Sequence, residues 1–383
     1  MEEEHRVLYI CCARALGGAE RSLLELVATI RSFGFRLDVV LPGEGSLHDG
    51  LNALGAKVHS VDALNWRRGG SYGIGSILSD SRRLRSASAA ISRIAAHRRI
   101  DILHANSTKA ACAAMWSSLN QNLPMIWHVR DHAGMLETRI LTTLGAVPIA
   151  ISSSGAMKLK RILGHAPALI ANGIDLTALE STPTCVPRER QAVRIVCVAH
   201  WAPWKGHELL LDAFERCQRI CDFPLHLSLV GGDLFRRERL LSERLAARAA
   251  AFQDSVELVG PTNNVVQYLR SADILVHPAY PEPFGRVIVE ALSVGLPVIA
   301  FDGEHGPADI IRTVGGGILV SPRTAEALAQ AIQTVANDLP KYRGRALAAL
   351  SRTRLTYSST RVASEVASLY ATLLGHREIH ASP

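Results

Sequence analysis

The chain has 383 residues, 48% of them apolar and 20% charged, with a formal net charge of +7 at neutral pH. Single cores usually stop growing near about 250 to 300 residues, so this length predicts two domains in a globular, soluble protein. No uninterrupted apolar run approaches the roughly 18 residues that a membrane span requires, which excludes a transmembrane helix.

The opening segment MEEEHRVLYICC carries acid where an export signal carries base and enters an apolar run at once. It reads as a first strand, and a cytoplasmic location is the expectation. Short β-rich runs then alternate with longer helical patterns from end to end, the mark of parallel sheets built from βαβ units. Strands are predicted at 7–12, 37–41, 57–61, 102–105, 125–129, 149–152 and 169–170. Residues 176–191, with Pro183, Pro187 and a cluster of charges, break both periodicities and read as a linker. From Val193 the pattern restarts, with strands at 194–199, 225–230, 256–259, 274–277, 297–301 and 318–320. The expected organisation is a first domain over 1–178, a second over 192–345 and a closing helix over 360–375 that packs back toward the first. Two doubly wound α/β halves place a cleft between them, and ligands in such sheets bind beyond the carboxyl ends of the strands.

Seven cysteines, at 11, 12, 112, 185, 197, 217 and 221, are odd in number, scattered and without a CxxC pair. They read as reduced packing residues. Arginine supplies most of the positive charge and concentrates at 67, 68, 82, 83, 85, 93, 98 and 99. Such a stripe fits a solvated helix face, with an anionic membrane surface at the inner face of a membrane, or a phosphorylated acceptor, as the alternative partner. Nucleic acid is not expected, because only Trp66 and Tyr72 adjoin the stripe and no stacking platform is visible.

Three turns carry candidate chemistry. In CCARALGGAERSLLEL, Gly17 and Gly18 precede a helix expected to begin near Glu20, a site where backbone can approach an anion or simply turn tightly. The GxGxxG order of a dinucleotide fingerprint is absent, so a nicotinamide enzyme fits poorly. In VRIVCVAHWAPWKGHELLLDAF, Lys205 follows a strand and Gly206 precedes a helix, which suits neutralisation of a diphosphate, although an exposed lysine reads the same way. In PEPFGRVIVEALSVG, Glu282 and Glu290 stand eight residues apart. With a helix starting near Phe284, that spacing is roughly 12 Å, too far for one shared proton or metal, so the two carboxylates hold different parts of one extended ligand. Pro283 then suits the first helical turn, and the amides of Phe284, Gly285 and Arg286 face the ligand. No HExxH or DxD stands in a suitable loop, and no metal is expected.

Together with VELVGPTNNVVQYLRSADILVHPAYPEPFGRVIVEALSVGLPVIAFD and the Asn172-Gly173-Ile174-Asp175 segment, these turns resemble the retaining nucleotide-sugar-dependent glycosyltransferases of the GT-B fold, family 4 (group 1). The resemblance implies two Rossmann-like doubly wound parallel-sheet domains facing across a cleft. It implies a nucleotide-diphosphate sugar as donor substrate, a hydroxyl acceptor and no further cofactor. The acceptor would be a lipid-linked or polysaccharide precursor, or a small metabolite such as an antibiotic aglycone. Glu282 with the amides of Phe284 and Gly285 would hold the donor sugar, Glu290 the ribose and Lys205 the diphosphate. Arg286 and the Gly17-Gly18 turn would complete the donor contacts, and backbone around Val259 and Pro261 would edge the base. His200 stands where the family usually has an arginine, offering one N–H or a pH-dependent charge instead of a permanent fork. His128, in IWHVRDH, matches the family's histidine near the reacting carbon, so Glu282, His128 and Lys205 are the candidate catalytic residues. Arg14, Trp66, Asn106, Arg130 and Asp131 are the candidate acceptor contacts, with Asp131 a second choice for acid/base work and His132 beside it. The alternative reading keeps the fold without the transfer, as a nucleotide-sugar-binding protein or an epimerase.

Overall fold

The computed structural model describes residues 5–65, 74–131, 133–180, 192–233 and 238–381. Trp66, His132 and Cys185 lie outside them, as does the linker segment from 181 to 191. The chain divides into one unit of Met1–Gly173 with Ser359–Pro383 and a second of Ile174–Ser358.

The first unit is built on strands β1 (His5–Ile10), β2 (Phe35–Leu41), β3 (Lys57–Ser60), β4 (Ile102–Ala105), β5 (Met125–Val129), β6 (Ala146–Ala150) and β7 (Ala168–Leu169). They pair in parallel in the order β3-β2-β1-β4-β5-β6-β7. A parallel sheet must be covered on both faces, and β1 shows how the sequence meets that demand. Val7 and Tyr9 enter a core with Leu23 and Leu26 of the helix Gly18–Ile30 and with Val362, Val366 and Tyr370 of the closing helix Ser359–Ala381. Leu8 and Ile10 point the other way, against Ile91, Ala114 and Met115. Strand β6 begins at Ala146, earlier than the sequence pattern suggests, and includes Pro148. It pairs with β7 only at Ile149 and Ala150, so the missing N–H of Pro148 interrupts no ladder on that side.

The second unit contains β8 (Val193–Val198), β9 (Leu225–Val230), β10 (Val256–Gly260), β11 (Ile274–His277), β12 (Val298–Phe301) and β13 (Gly317–Val320), parallel in the order β10-β9-β8-β11-β12-β13. In both units the winding reverses direction at one place, between β1 and β4 in the first and between β8 and β11 in the second. At such a switch point the two outgoing loops diverge and leave a crevice at the carboxyl ends of the strands.

The six described cysteines are free thiols. Of the arginine stripe, Arg82, Arg83, Arg85, Arg93 and Arg99 are exposed, whereas Arg98 is half-buried and donates to Asp38 at 2.6 Å. No described helix is long and apolar enough to cross a membrane.

Candidate active site

The switch point of the second unit brings together the loop after β8 and the loop after β11. Lys205 comes from the first and Glu282 from the second. The Lys205 Nζ donates to Glu282 Oε2 at 2.5 Å, with the two side chains only 10% and 11% exposed. Gly206 makes that approach feasible. Its φ of +73° lies in the left-handed region, and a Cβ there would meet the Pro278 carbonyl oxygen at 2.7 Å. The ammonium also lies 3.9 Å from the centre of the Trp204 ring, a cation–π contact. Burial alone would push the Glu282 carboxyl up, but Lys205, His277 and the Phe284 backbone outweigh it and hold the group below its ordinary value.

Histidines surround this pair. His277 Nε2 is 3.9 Å from Glu282 Oε2, and the His200 ring stands edge-on to Trp204 at 5.7 Å. Burial first, with Lys205 acting in the same direction, lowers His200, His207 and His277 each to about 4. All three are therefore neutral near pH 7, and His200 offers neutral ring nitrogens there in place of the expected pH-dependent charge. Burial also lowers His305.

The helix expected from Phe284 starts instead at Arg286 and runs to Leu292. Gly285 is the reason, since its φ of +92° cannot continue a helix and a Cβ there would press on Ile288 and Pro307 at 3.2 Å. Pro283 is consequently outside the first helical turn. The Phe284 side chain is buried against Tyr357, and Gly306 packs on the Phe284 backbone so closely that a Cβ would reach its Cα at 2.3 Å. Glu290 does lie on the helix, where Arg286 Nε donates to its Oε1 at 2.8 Å. Val259 is half-buried at the end of β10, and Pro261 just beyond it packs against Gly232.

In the first unit the switch point lies between Ile10 and Ala105. Gly17 caps the helix Gly18–Ile30, and its N–H donates to Glu20 Oε2 at 3.1 Å, while a Cβ on Gly18 would meet nothing within 4 Å. Asn106 is buried and accepts from the Tyr9 hydroxyl at 2.7 Å. Arg14 turns to the Pro42 carbonyl, to which Nη2 donates at 2.7 Å. Asp131 Oδ1 accepts from the backbone N–H of Thr108 at 3.1 Å and from its hydroxyl at 2.7 Å, anchoring the start of the helix Thr108–Gln121.

His128, on β5, is 1% exposed. Its Nδ1 lies 3.1 Å from His104 Nε2 and 3.3 Å from Arg130 Nη2. Arg130 in turn donates through Nη1 to Asn172. Burial, reinforced by the Arg130 charge, holds both His104 and His128 well below the ordinary histidine value. His128 and Arg130 line a small pocket bounded by Ser22, Glu25, Gly173 and Ser359. Sequence reasoning did not single out His104, Tyr370 or His277. A signal existed for two of them: His104 and His277 are polar residues inside otherwise apolar, fully buried strands.

Two doubly wound parallel units, each with polar side chains collected near its switch point, form the GT-B fold. Residues 17–172 match the glycosyl transferase 4-like domain and residues 192–338 match the glycosyl transferases group 1 domain, and the chain belongs to the group 1 glycosyltransferases. It is 26% identical over 289 residues to a phosphatidyl-myo-inositol mannosyltransferase of Mycobacterium leprae, an alignment covering 71% of this chain and 74% of that one. Over 167 residues it is 31% identical to an exopolysaccharide phosphotransferase of Streptomyces coelicolor, covering 42% of this chain but only 17% of that protein. Among solved structures, Anabaena HepE in complex with UDP-glucose superposes with a TM-score of 0.77 at 22% identity, over 96% of this chain and 99% of that one.

Proposed function

We propose that this protein transfers a sugar from a nucleotide-diphosphate sugar to an acceptor hydroxyl, with retention of anomeric configuration and without a metal ion. The observation that carries the reading is the buried Lys205–Glu282 pair at the switch point of the second unit. A cation fixed beside a low-dielectric crevice stabilises charge as it develops on a departing diphosphate. The neighbouring histidines His200, His207 and His277 are neutral, so beside them the positive charge comes from Lys205. Glu282, oriented by that lysine, accepts from hydroxyls of the donor sugar, and Glu290, steadied by Arg286, accepts from the ribose. In the first unit, His128 hydrogen-bonds a substrate hydroxyl.

In the reaction the bond from the anomeric carbon to the diphosphate oxygen breaks, and a bond from that carbon to the acceptor oxygen forms on the same face. The acceptor proton passes to the departing phosphate oxygen, so no protein nucleophile is required. The relatives named for phosphatidyl-myo-inositol and for exopolysaccharide support a lipid-linked or polysaccharide acceptor.

The test is a thermal-shift screen over UDP-, GDP-, ADP- and dTDP-sugars, with UDP-glucose first, followed by release of diphosphate with the donor that binds. Glu282→Gln, which keeps the side-chain volume, is expected to lower turnover by about 10²-fold or more. Absence of a shift with every donor, or near-normal turnover in Glu282→Gln, would sink the proposal. Conversion of donor to a sugar isomer without diphosphate release would assign an epimerase instead.

A further inference from the structure

We propose that Tyr370 and His104 are positioning residues that hold His128 in the tautomer with its proton on Nε2, so that His128 serves as a hydrogen-bond donor and not as a base. The inference rests on the reading that gives His128 a substrate hydroxyl.

The argument is one of donors and acceptors. Arginine can only donate. Arg130 Nη2 stands 3.3 Å from His128 Nδ1, so this nitrogen must present a lone pair, and the ring's single proton is left to Nε2. His104 Nε2 approaches the same Nδ1 at 3.1 Å and must therefore be an N–H donor. That leaves His104 Nδ1 as an acceptor, and the Tyr370 hydroxyl donates to it at 2.7 Å. Every proton in the sequence Tyr370, His104, His128 is thereby assigned in one direction. In the reversed arrangement His128 Nδ1–H would face an Arg130 N–H, donor against donor, and the Tyr370 hydrogen would lose its acceptor.

Burial makes the assignment consequential. His104 and Tyr370 are fully buried, and the Tyr9 ring closes over His104 with 4.3 Å between centroids, so these atoms are shielded from bulk solvent. In such surroundings an unmet donor or acceptor is costly, and that cost selects one tautomer over the other. His128 Nε2 itself is buried and makes no hydrogen bond of ordinary geometry. Tyr370 sits on the closing helix Ser359–Ala381, so the last helix of the chain acts on His128 through His104.

The tautomers are distinguishable by long-range proton–nitrogen correlation spectra of the full chain labelled with nitrogen-15 histidine. Both His104 and His128 are expected to show a neutral ring protonated at Nε2. A His128 ring protonated at Nδ1, or an imidazolium at neutral pH, would overturn the proposal without any variant. Tyr370→Phe removes the first donor. It is expected to give mixed tautomers at His128 and to lower kcat about tenfold with the donor KM unchanged. His104→Gln retains an amide N–H toward His128 and should keep the Nε2–H pattern, whereas His104→Phe should lose it. If those two variants give the same spectrum and the same kcat, His104 acts only by packing and the proposal fails. Donor-induced thermal shift on the same samples separates the two readings. Its absence in the parent protein counts against the transfer, while the spectra still report the relay.

Discussion

Lys205 and Glu282 share a buried contact, and each limits what can be done to the other. Removing one member of such a pair leaves an uncompensated charge, at about 3–5 kcal/mol. Lys205→Met should therefore lower the denaturation midpoint sharply at pH 7.5. The loss should shrink as the pH falls toward 5.5, because without Lys205 burial acts with less opposition on the Glu282 carboxyl, raises it, and lets protonation relieve the charge. Denaturant melts at the two pH values check this; a small loss, or one indifferent to pH, would show that the pair is open to solvent. Glu290 differs in kind. Its partner Arg286 is one helical turn away on the same surface, so this contact orients the carboxylate and is worth only a few tenths of a kcal/mol.

At the scale of elements, the loops after the strands matter more than the helices they lead into. Gly206 and Gly18 both stand at helix starts, yet the structure separates them. Gly206→Ala would combine a left-handed backbone with a Cβ 2.7 Å from the Pro278 carbonyl oxygen, a loss of about 2 kcal/mol or more. Gly18→Ala meets open space and should stabilise by about 0.5–1 kcal/mol. Comparing melting temperature with turnover in the two variants gives each glycine a role. A Gly18→Ala protein that is stable but inactive would show that the turn approaches a ligand, whereas full activity would make it a simple turn. Alternation of β-rich and helical runs made β4, β5, β9 and β11 legible to the residue: β4, β5 and β11 as short, largely apolar and buried runs, and β9, LHLSLV, by its apolar–polar alternation. The start of the helix at Arg286 was not legible. Pro283 looks like a first-turn proline, and only the φ of Gly285, set by Ile288 and Pro307 packed around it, moves the start.

Across the whole molecule, histidines held neutral by burial make folding sensitive to mild acid. His104 and His128 lie well below their ordinary value, and His200, His207 and His277 at about 4. Their folded values are below the unfolded value of about 6.5, so the unfolded chain binds more protons between those limits. The stability they contribute is complete above about pH 6.5 and is lost as the pH falls through their lowered folded values. Glu282, with its folded value lowered, contributes above about pH 4.5 and loses that contribution on further acidification. The melting temperature should therefore drop steadily from pH 7 to 4.5, and His277→Asn should flatten the curve; a level profile down to pH 5 would contradict the burial of these rings. Two doubly wound units, and the positions of Lys205 and Glu282 in loops that follow strands, were legible in the sequence alone, because periodicity and turn residues act over a few neighbours; the roles expected of Lys205, Glu282 and His128 came from the family resemblance and not from local pattern. Only the tertiary structure decided that Lys205 and Glu282, 77 residues apart, neutralise each other. It alone brought Tyr370 to His104 across 266 residues. Such pairings depend on how strands are ordered in the sheet and which helix returns to cover it, and no local pattern encodes that order.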